Sequence, residues 1–304
     1  MRKSTCLLIL ALLFMAGMVV GTTSYVWATE EKAAHVTIDQ VVSVQKYNRS
    51  IHVMAMLMVG FGFLMVFVKK YGRSAVTATY LLVSIAVPMY LYINGKGYLG
   101  EPKSDVDGLL LAEFAAASLL ICAGAPLGRL KMSQYLLLAL IFTPCYMINE
   151  WILLESGLGL IPHGGFVDTG GSILIHAFGA LFGLGVIMTM TTKEEFAAPV
   201  ESDHTSDQFS MLGSMVLWLF WPSFCAGLVE PGLVPFTAVN VFLALCGATI
   251  ATYFVSSTLR GKIAIGDIAN AALARGVAVG ATCDTAHHHT AFIIGILAGA
   301  LSTI

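Results

Sequence analysis

The stretch Asp168-Thr169-Gly170-Gly171-Ser172-Ile173-Leu174-Ile175-His176-Ala177-Phe178, continued in the same apolar vein to Thr191, decides how this chain must be read. From Gly170 to Thr191 its single ionisable side chain is His176, and about 20 such residues in a helix span the hydrocarbon core of a bilayer. Asp168 stands at the start of that helix, where a carboxylate accepts hydrogen bonds from the exposed amides of the first turn. Its two readings, a helix cap and a negative group favouring an approaching cation, are compatible and both stay open. His176 follows eight residues later, roughly 12 Å deeper along a helix. It is either a satisfied packing residue or a group that lines a pathway.

The rest of the chain has the same character. Of 304 residues, 57% are AVILMFWYC and 11% are charged, against about 25% charged in soluble domains. Sixteen Lys and Arg against 18 Asp and Glu leave a net charge of −2, which gives no basic footprint and argues against nucleic acid as a partner. The cysteines at 6, 122, 145, 225, 246 and 283 form no CxxC spacing, so neither a disulfide framework nor a zinc or other metal site is expected. No nucleophile–base pair, phosphate loop or cofactor motif stands out, and the expectation is a protein without cofactors that is not an enzyme.

Residues 1–28 read as a secretory signal: Arg2 and Lys3, an apolar run from Cys6 to Val20, and the cleavage-type sequence Val26-Trp27-Ala28. The competing reading is an uncleaved first span. Residues 29–304 then form one membrane domain with apolar runs at 51–68, 74–94, 108–127, 134–154, 170–191, 209–229, 233–256, 263–281 and 290–304. At about 20 residues each these nine candidate spans leave no room for a sizeable soluble domain. Lys69, Lys70, Arg73, Arg129, Lys131, Lys193, Arg260 and Lys262 fall in alternate loops and mark the cytoplasmic side of an inner membrane, with the mature N-terminus outside. Small residues such as Gly179, Gly183 and Gly185 suit close helix packing in lipid.

Ionisable groups inside spans are costly and mark partners or pathways. Besides Asp168 and His176 these are Glu113, Glu150 and Arg275. Arg275 is expected at a depth similar to that of Glu113 and Glu150, paired with one of them or snorkelling towards the outer surface. Phe114 and Phe224, each in a span, read by themselves as core or lipid-facing aromatics. His287, His288 and His289 are expected in a solvated loop, with weak metal binding as the lesser reading.

Several blocks, in order, resemble the Rhesus (Rh) type of ammonium transporter: His52-Val53-Met54 with Val59-Gly60-Phe61-Gly62-Phe63-Leu64-Met65; Asn149-Glu150-Trp151-Ile152-Leu153-Leu154; the stretch from Asp168 to Leu184; Leu217-Trp218-Leu219-Phe220-Trp221-Pro222-Ser223-Phe224; and Ile268-Ala269-Asn270-Ala271-Ala272-Leu273-Ala274. The resemblance implies an all-α polytopic membrane protein, an ammonium-transporter-like bundle of inverted five-helix repeats, assembled as a homotrimer in the lipid bilayer with a narrow apolar pore in each subunit. The implied substrate is ammonia or ammonium, with methylammonium as a surrogate. By position Asp168 resembles the family's structural and recruiting aspartate, His176 the first histidine of its pore pair, and Phe114 and Phe224 the stacked phenylalanines at the outer mouth.

Two departures accompany the resemblance. Arg275 stands where the family pattern favours glycine, and Leu301-Ser302-Thr303-Ile304 falls within what resembles the ninth core helix. The second repeat is therefore expected to be incomplete and to lack the helix bearing the second pore histidine. A channel that strips water and a proton from ammonium at the outer mouth and passes ammonia through an apolar, His-lined pore is the leading expectation. A non-conducting ammonium sensor or assembly subunit, a decayed fragment, and carbon dioxide permeation are the alternatives.

Overall fold

The computed structural model describes residues 36–197 and 201–304, without the side chains of Phe196, Ala272, Leu273 and Arg275. The signal segment expected at 1–28 lies outside the described residues. The chain divides into two units, Met1–Val41 and Val42–Ile304. Of the first, only residues 36–41 are described, and from Ile38 they are helical. Every side-chain contact described below lies in the second unit.

Nine helices of sixteen residues or more run through the described residues: α1 Ile38–Phe67, α2 Gly72–Gly95, α3 Asp105–Gly124, α4 Met132–Leu154, α5 Ser172–Met190, α6 His204–Cys225, α7 Pro231–Arg260, α8 Ile265–Gly280 and α9 His288–Thr303. Six of them, α1 to α5 and α7, are long and apolar enough to cross a membrane, and the protein is an integral, multi-pass membrane protein. The other three coincide with the remaining apolar runs. α1 begins well before the run at 51 because its polar first half also finds partners. Lys46 Nζ lies 2.6 Å from Asp107 Oδ1, and the Arg49 Nε donates to the Gly227 carbonyl at 3.3 Å. Hydropathy locates the stretch that suits lipid, whereas the helix continues as far as its backbone bonds and side-chain partners allow.

The packing repeats itself. In the first five helices α2 lies against α3 and α4; in the next four α7 lies against α8 and α9 in the same order, while α1 meets α6 between the two halves. This is the all-α bundle of inverted five-helix repeats, with residues 204–304 supplying four helices of the second. Loops gather at two ends. At one, Lys69 N donates to Glu201 O (2.9 Å) and Arg129 Nε to Glu195 O (3.2 Å). At the other, Lys103 pairs with Glu155 at 2.6 Å and Gly170 N donates to Gly280 O at 2.8 Å.

Helix α3 is the most enclosed, with Ala115, Ala116 and Ala117 all at 1% exposure or less. Its neighbour α5 approaches through Gly179 and Gly183. A Cβ at those positions would come within 2.6 Å of the Ser118 carbonyl oxygen and 2.8 Å of the Cys122 carbonyl oxygen. In lipid, where helix association depends on close van der Waals packing, these two glycines set the separation of the pair.

Candidate pore and its vestibule

Asp168 is a cap, and a saturated one. Its Oδ1 accepts from Ser172 N at 2.7 Å, and its Oδ2 accepts from Ile173 N at 2.8 Å and Leu174 N at 2.7 Å. Gly171, between them, adopts φ +69°, a left-handed conformation that glycine takes without strain. The first turn of α5, Ser172–Ala177, is then wound as a π-helix, the kind of local widening that recurs at functional sites. Widening displaces carbonyl groups from the α ladder, and neighbouring helices take them up. Ser118 Oγ donates to Ile175 O at 2.7 Å and Asn149 Nδ2 to Leu174 O at 3.5 Å. Without water in the bilayer core, such partners are what makes the irregular turn tolerable.

The π turn aims His176. The Gly171 carbonyl receives both the His176 backbone amide (3.0 Å) and ring Nδ1 (2.8 Å). A carbonyl only accepts, so Nδ1 carries the proton and the neutral ring keeps its lone pair on Nε2. Trp221 lies almost parallel to the imidazole at 5.7 Å and 22°, and Phe224 meets it edge-on at 6.1 Å and 69°. Phe224 in turn touches Phe114 at 4.8 Å, both rings buried. Their planes are inclined at 60°, so the expected stacking is replaced by a tilted contact, which aromatic quadrupoles favour over a face-to-face sandwich.

Cavities lie on either side of this aromatic layer. On the Asp168 side, about 390 Å³ is enclosed by Phe114, Phe224, Asp168, Glu150, Glu230 and Asp284 among others. On the other side, about 460 Å³ is bounded by His176, Trp221, Phe61, Leu120, Ile121 and Val277 and is overwhelmingly apolar. Six helices bring this together: α1 supplies Phe61, α3 Phe114, α4 Glu150, α5 His176, α6 Trp221 and Phe224, and α8 Val277. The start of α5 is fastened to the end of α8 by Ser172 Oγ, which donates to the Val277 carbonyl and accepts from Ala281 N.

Of the remaining site candidates, Glu150 borders the vestibule and the others fall elsewhere. Glu113 is 1% exposed and its Oε1 accepts from Ser50 Oγ at 2.6 Å; Glu150 is 8% exposed and its Oε2 accepts from Tyr90 OH at 2.5 Å. The Arg275 side chain, expected to pair with one of them, lies outside the described residues. His287, His288 and His289 are exposed, but they open α9 rather than sit in a free loop. Asn240 Nδ2 donates to the carbonyls of Cys283 and Ala286, and its Oδ1 lies 2.7 Å from His288 Nδ1. Trp221 was not singled out from sequence, since one aromatic in an apolar helix looks like any other. Its register relative to Phe224, three residues on, was the signal available.

A model of the Ammonium Transporter Family matches residues 6–304. Ammonium transporter Rh type A of Canis lupus familiaris is 34% identical over 280 residues, 88% of this chain and 64% of that protein. Ammonium transporter Rh type B of Homo sapiens is 38% identical over 259 residues, 82% of this chain and 55% of that protein. The chain thus spans roughly 55–64% of the length of these curated relatives. Among solved structures, Nitrosomonas europaea Rh50, described as one of the Rhesus protein family of channels, superposes with a TM-score of 0.85 at 54% identity, covering 88% of this chain and 70% of that one. A Sensor Amt Protein superposes at 0.74 with 18% identity, which speaks for the fold alone. These relatives carry the names of transporters and channels. Matched along nearly its whole length by the family model and by Rh-type relatives on both measures, the chain belongs to the ammonium transporter family, in its Rhesus-type branch.

Proposed function

We propose that the protein conducts ammonia, recruited as ammonium, across an inner membrane. The observation that carries this reading is the order of groups along one path: a vestibule with carboxylates, the buried Phe114–Phe224 contact, the oriented His176, then an apolar cavity. Ammonium entering the vestibule meets negative charge; at the phenylalanines it has no water to follow it, and a bare ion in apolar surroundings is heavily disfavoured. Neutral ammonia passes more readily, donating a hydrogen bond to the His176 Nε2 lone pair. Potassium has no proton to lose and is rejected. In this reading Asp168 fixes the vestibule by holding three amides, and its charge adds to the pull on cations.

The same reading makes the working form a homotrimer, each subunit with its own path, with the Asp168 end outside and the loops carrying Lys69, Arg129 and Lys193 on the cytoplasmic side. Residues 1–28 serve as a cleaved signal and 29–304 as one membrane domain. The test is methylammonium uptake into proteoliposomes together with its competition by ammonium. Saturable uptake that His176→Ala or Phe224→Ala alters without preventing assembly is the expected result. Ligand-dependent thermal stabilisation with no uptake would instead identify a non-conducting receptor.

A further inference from the structure

Cys225 closes α6 and Cys283 stands in the turn between α8 and α9, far apart in the chain, yet the fold brings them to one place. The Cys225 thiol is hydrogen-bonded to that of Cys283. Backbone geometry sets up the encounter independently of the thiols. A Cβ on Gly170 would lie 2.9 Å from Cys225 Sγ and 2.8 Å from Gly280 Cα, so the sulfur and Gly280 crowd the same point. The Gly280 carbonyl accepts from Gly170 N at 2.8 Å and from Cys283 N at 3.4 Å, which places Cys283 in the turn built on that glycine. Asn240 of α7 fastens the same turn by donating to the carbonyls of Cys283 (2.9 Å) and Ala286 (2.7 Å).

The pair sits directly behind the vestibule lining. Phe224 precedes Cys225 and Asp284 follows Cys283, and both of these neighbours face the vestibule. The two cysteines themselves are buried. One buried thiol is a small apolar filler. Two in contact, at the end of a membrane protein that faces an oxidising compartment, are the reduced form of a cross-link. Local spacing in the sequence carries no sign of it, because the partners belong to different helices and meet only through the packing of α5, α6 and α8.

We propose that Cys225 and Cys283 form a disulfide that clamps the end of α6 to the α8–α9 turn behind the vestibule, an inference that rests on the outward placement of the Asp168 end proposed above. The oxidant is a disulfide-donating protein of the outer compartment. One cysteine, as thiolate, attacks the donor disulfide and forms a mixed disulfide; the other then attacks the mixed disulfide and releases the donor. Two S–H bonds break and one S–S bond forms in the chain, while the donor takes the two electrons and the two protons and leaves as a dithiol. Because both sulfurs are buried in the folded protein, the exchange takes place while the outer loops are still being packed, and the finished bond lies out of reach of soluble reductants. The junction of Gly170 with Gly280 is then held covalently as well as by its hydrogen bond, and Phe224 and Asp284 are fixed relative to each other.

The test quenches expressing cells with acid, alkylates the denatured protein with N-ethylmaleimide without reduction, and maps its peptides by mass spectrometry. The expected result is a linked peptide joining Cys225 to Cys283, released on reduction. Recovery of both cysteines as maleimide adducts overturns the proposal and needs no variant to fold, and so does linkage of either one to a different cysteine. Thermal unfolding provides the second reading. Complete reduction by a small phosphine should lower the wild-type midpoint by about 5 °C or more, whereas Cys283→Ala should not respond to reductant. A linked protein whose midpoint ignores reduction overturns the clamp. Labelling of His163→Cys, in the exposed loop before α5, by a membrane-impermeant maleimide in spheroplasts reports the placement separately. Labelling with free Cys225 and Cys283 removes the disulfide and leaves the outward placement standing; a linked pair without labelling keeps the disulfide and removes the placement.

Discussion

The Nδ1 atom of His176 lies 2.8 Å from the carbonyl oxygen of Gly171, the residue whose left-handed backbone, φ +69°, turns that carbonyl towards the imidazole. One backbone torsion thus decides which ring nitrogen of His176 is free.

Gly171→Ala places a side chain in a left-handed conformation, at about 1–2 kcal/mol. The new Cβ also overlaps the Ile175 side chain. Thermal unfolding should show a lowered midpoint, and the His176 Nδ1 proton, visible by NMR in selectively labelled protein, should lose its hydrogen-bonded shift. A variant with both signals unchanged would refute the torsion's role.

Asp168→Ala leaves three amides of the first turn of α5 without their acceptor. A loss of about 2 kcal/mol or more is expected. Asp168→Asn keeps one acceptor oxygen and should fall between. If Asn and Ala destabilise equally in denaturation in detergent, the cap does not explain the residue.

Phe224 bridges Phe114 and His176. Its truncation to alanine should cost about 3 kcal/mol through the cavity it leaves. It also opens a route for hydrated ions between the two cavities, so potassium entry into proteoliposomes should become measurable. Potassium exclusion as tight as in the wild type would show that the barrier lies elsewhere.

Gly179→Val drives a branched side chain into the Ser118 carbonyl, 2.6 Å from even a Cβ. Overpacking of this kind costs about 1–3 kcal/mol, and here it also displaces Ser118, which satisfies the Ile175 carbonyl at 2.7 Å. Gly185→Ala on the same helix meets nothing within 4 Å and should leave the melting temperature level or slightly raised. Equal effects of the two substitutions would contradict the close α3–α5 contact.

At the opposite end, Asp203 caps α6: its Oδ1 accepts from Ser206 N at 2.8 Å, and its own amide donates to Ser206 Oγ at 2.7 Å. The Ser206 amide holds the Asp203 carboxyl below its ordinary value. A carboxyl lowered on folding stabilises above its unfolded pKa, and that contribution disappears as pH falls through the folded value. Asp203→Ala should therefore melt earlier than wild type at neutral pH, and the gap should close in acid. A gap that persists below the carboxylate range would point to packing instead.

Much of this was legible in sequence for a physical reason: lipid imposes a length, a composition and a charge rule on every span, and each leaves a one-dimensional trace. The nine apolar runs became nine helices, and Asp168 could be read as a cap because its partners lie within six residues of it. His176 was ambiguous because its roles differ only in what lies across the bundle.

What the tertiary structure alone decided depends on contacts between residues far apart in the chain. The π turn at Ser172–Ala177 exists because Ser118 and Asn149 take up the carbonyls it frees, 57 and 25 residues away. Trp221 gains a place beside His176, the phenylalanine pair settles at a 60° tilt, and Glu150 comes to border the vestibule, all through the packing of α3, α4, α5 and α6. Hydropathy measures what each helix offers to lipid. Which of its remaining faces meets which neighbour is set by side-chain fit, and that is a property of the folded bundle.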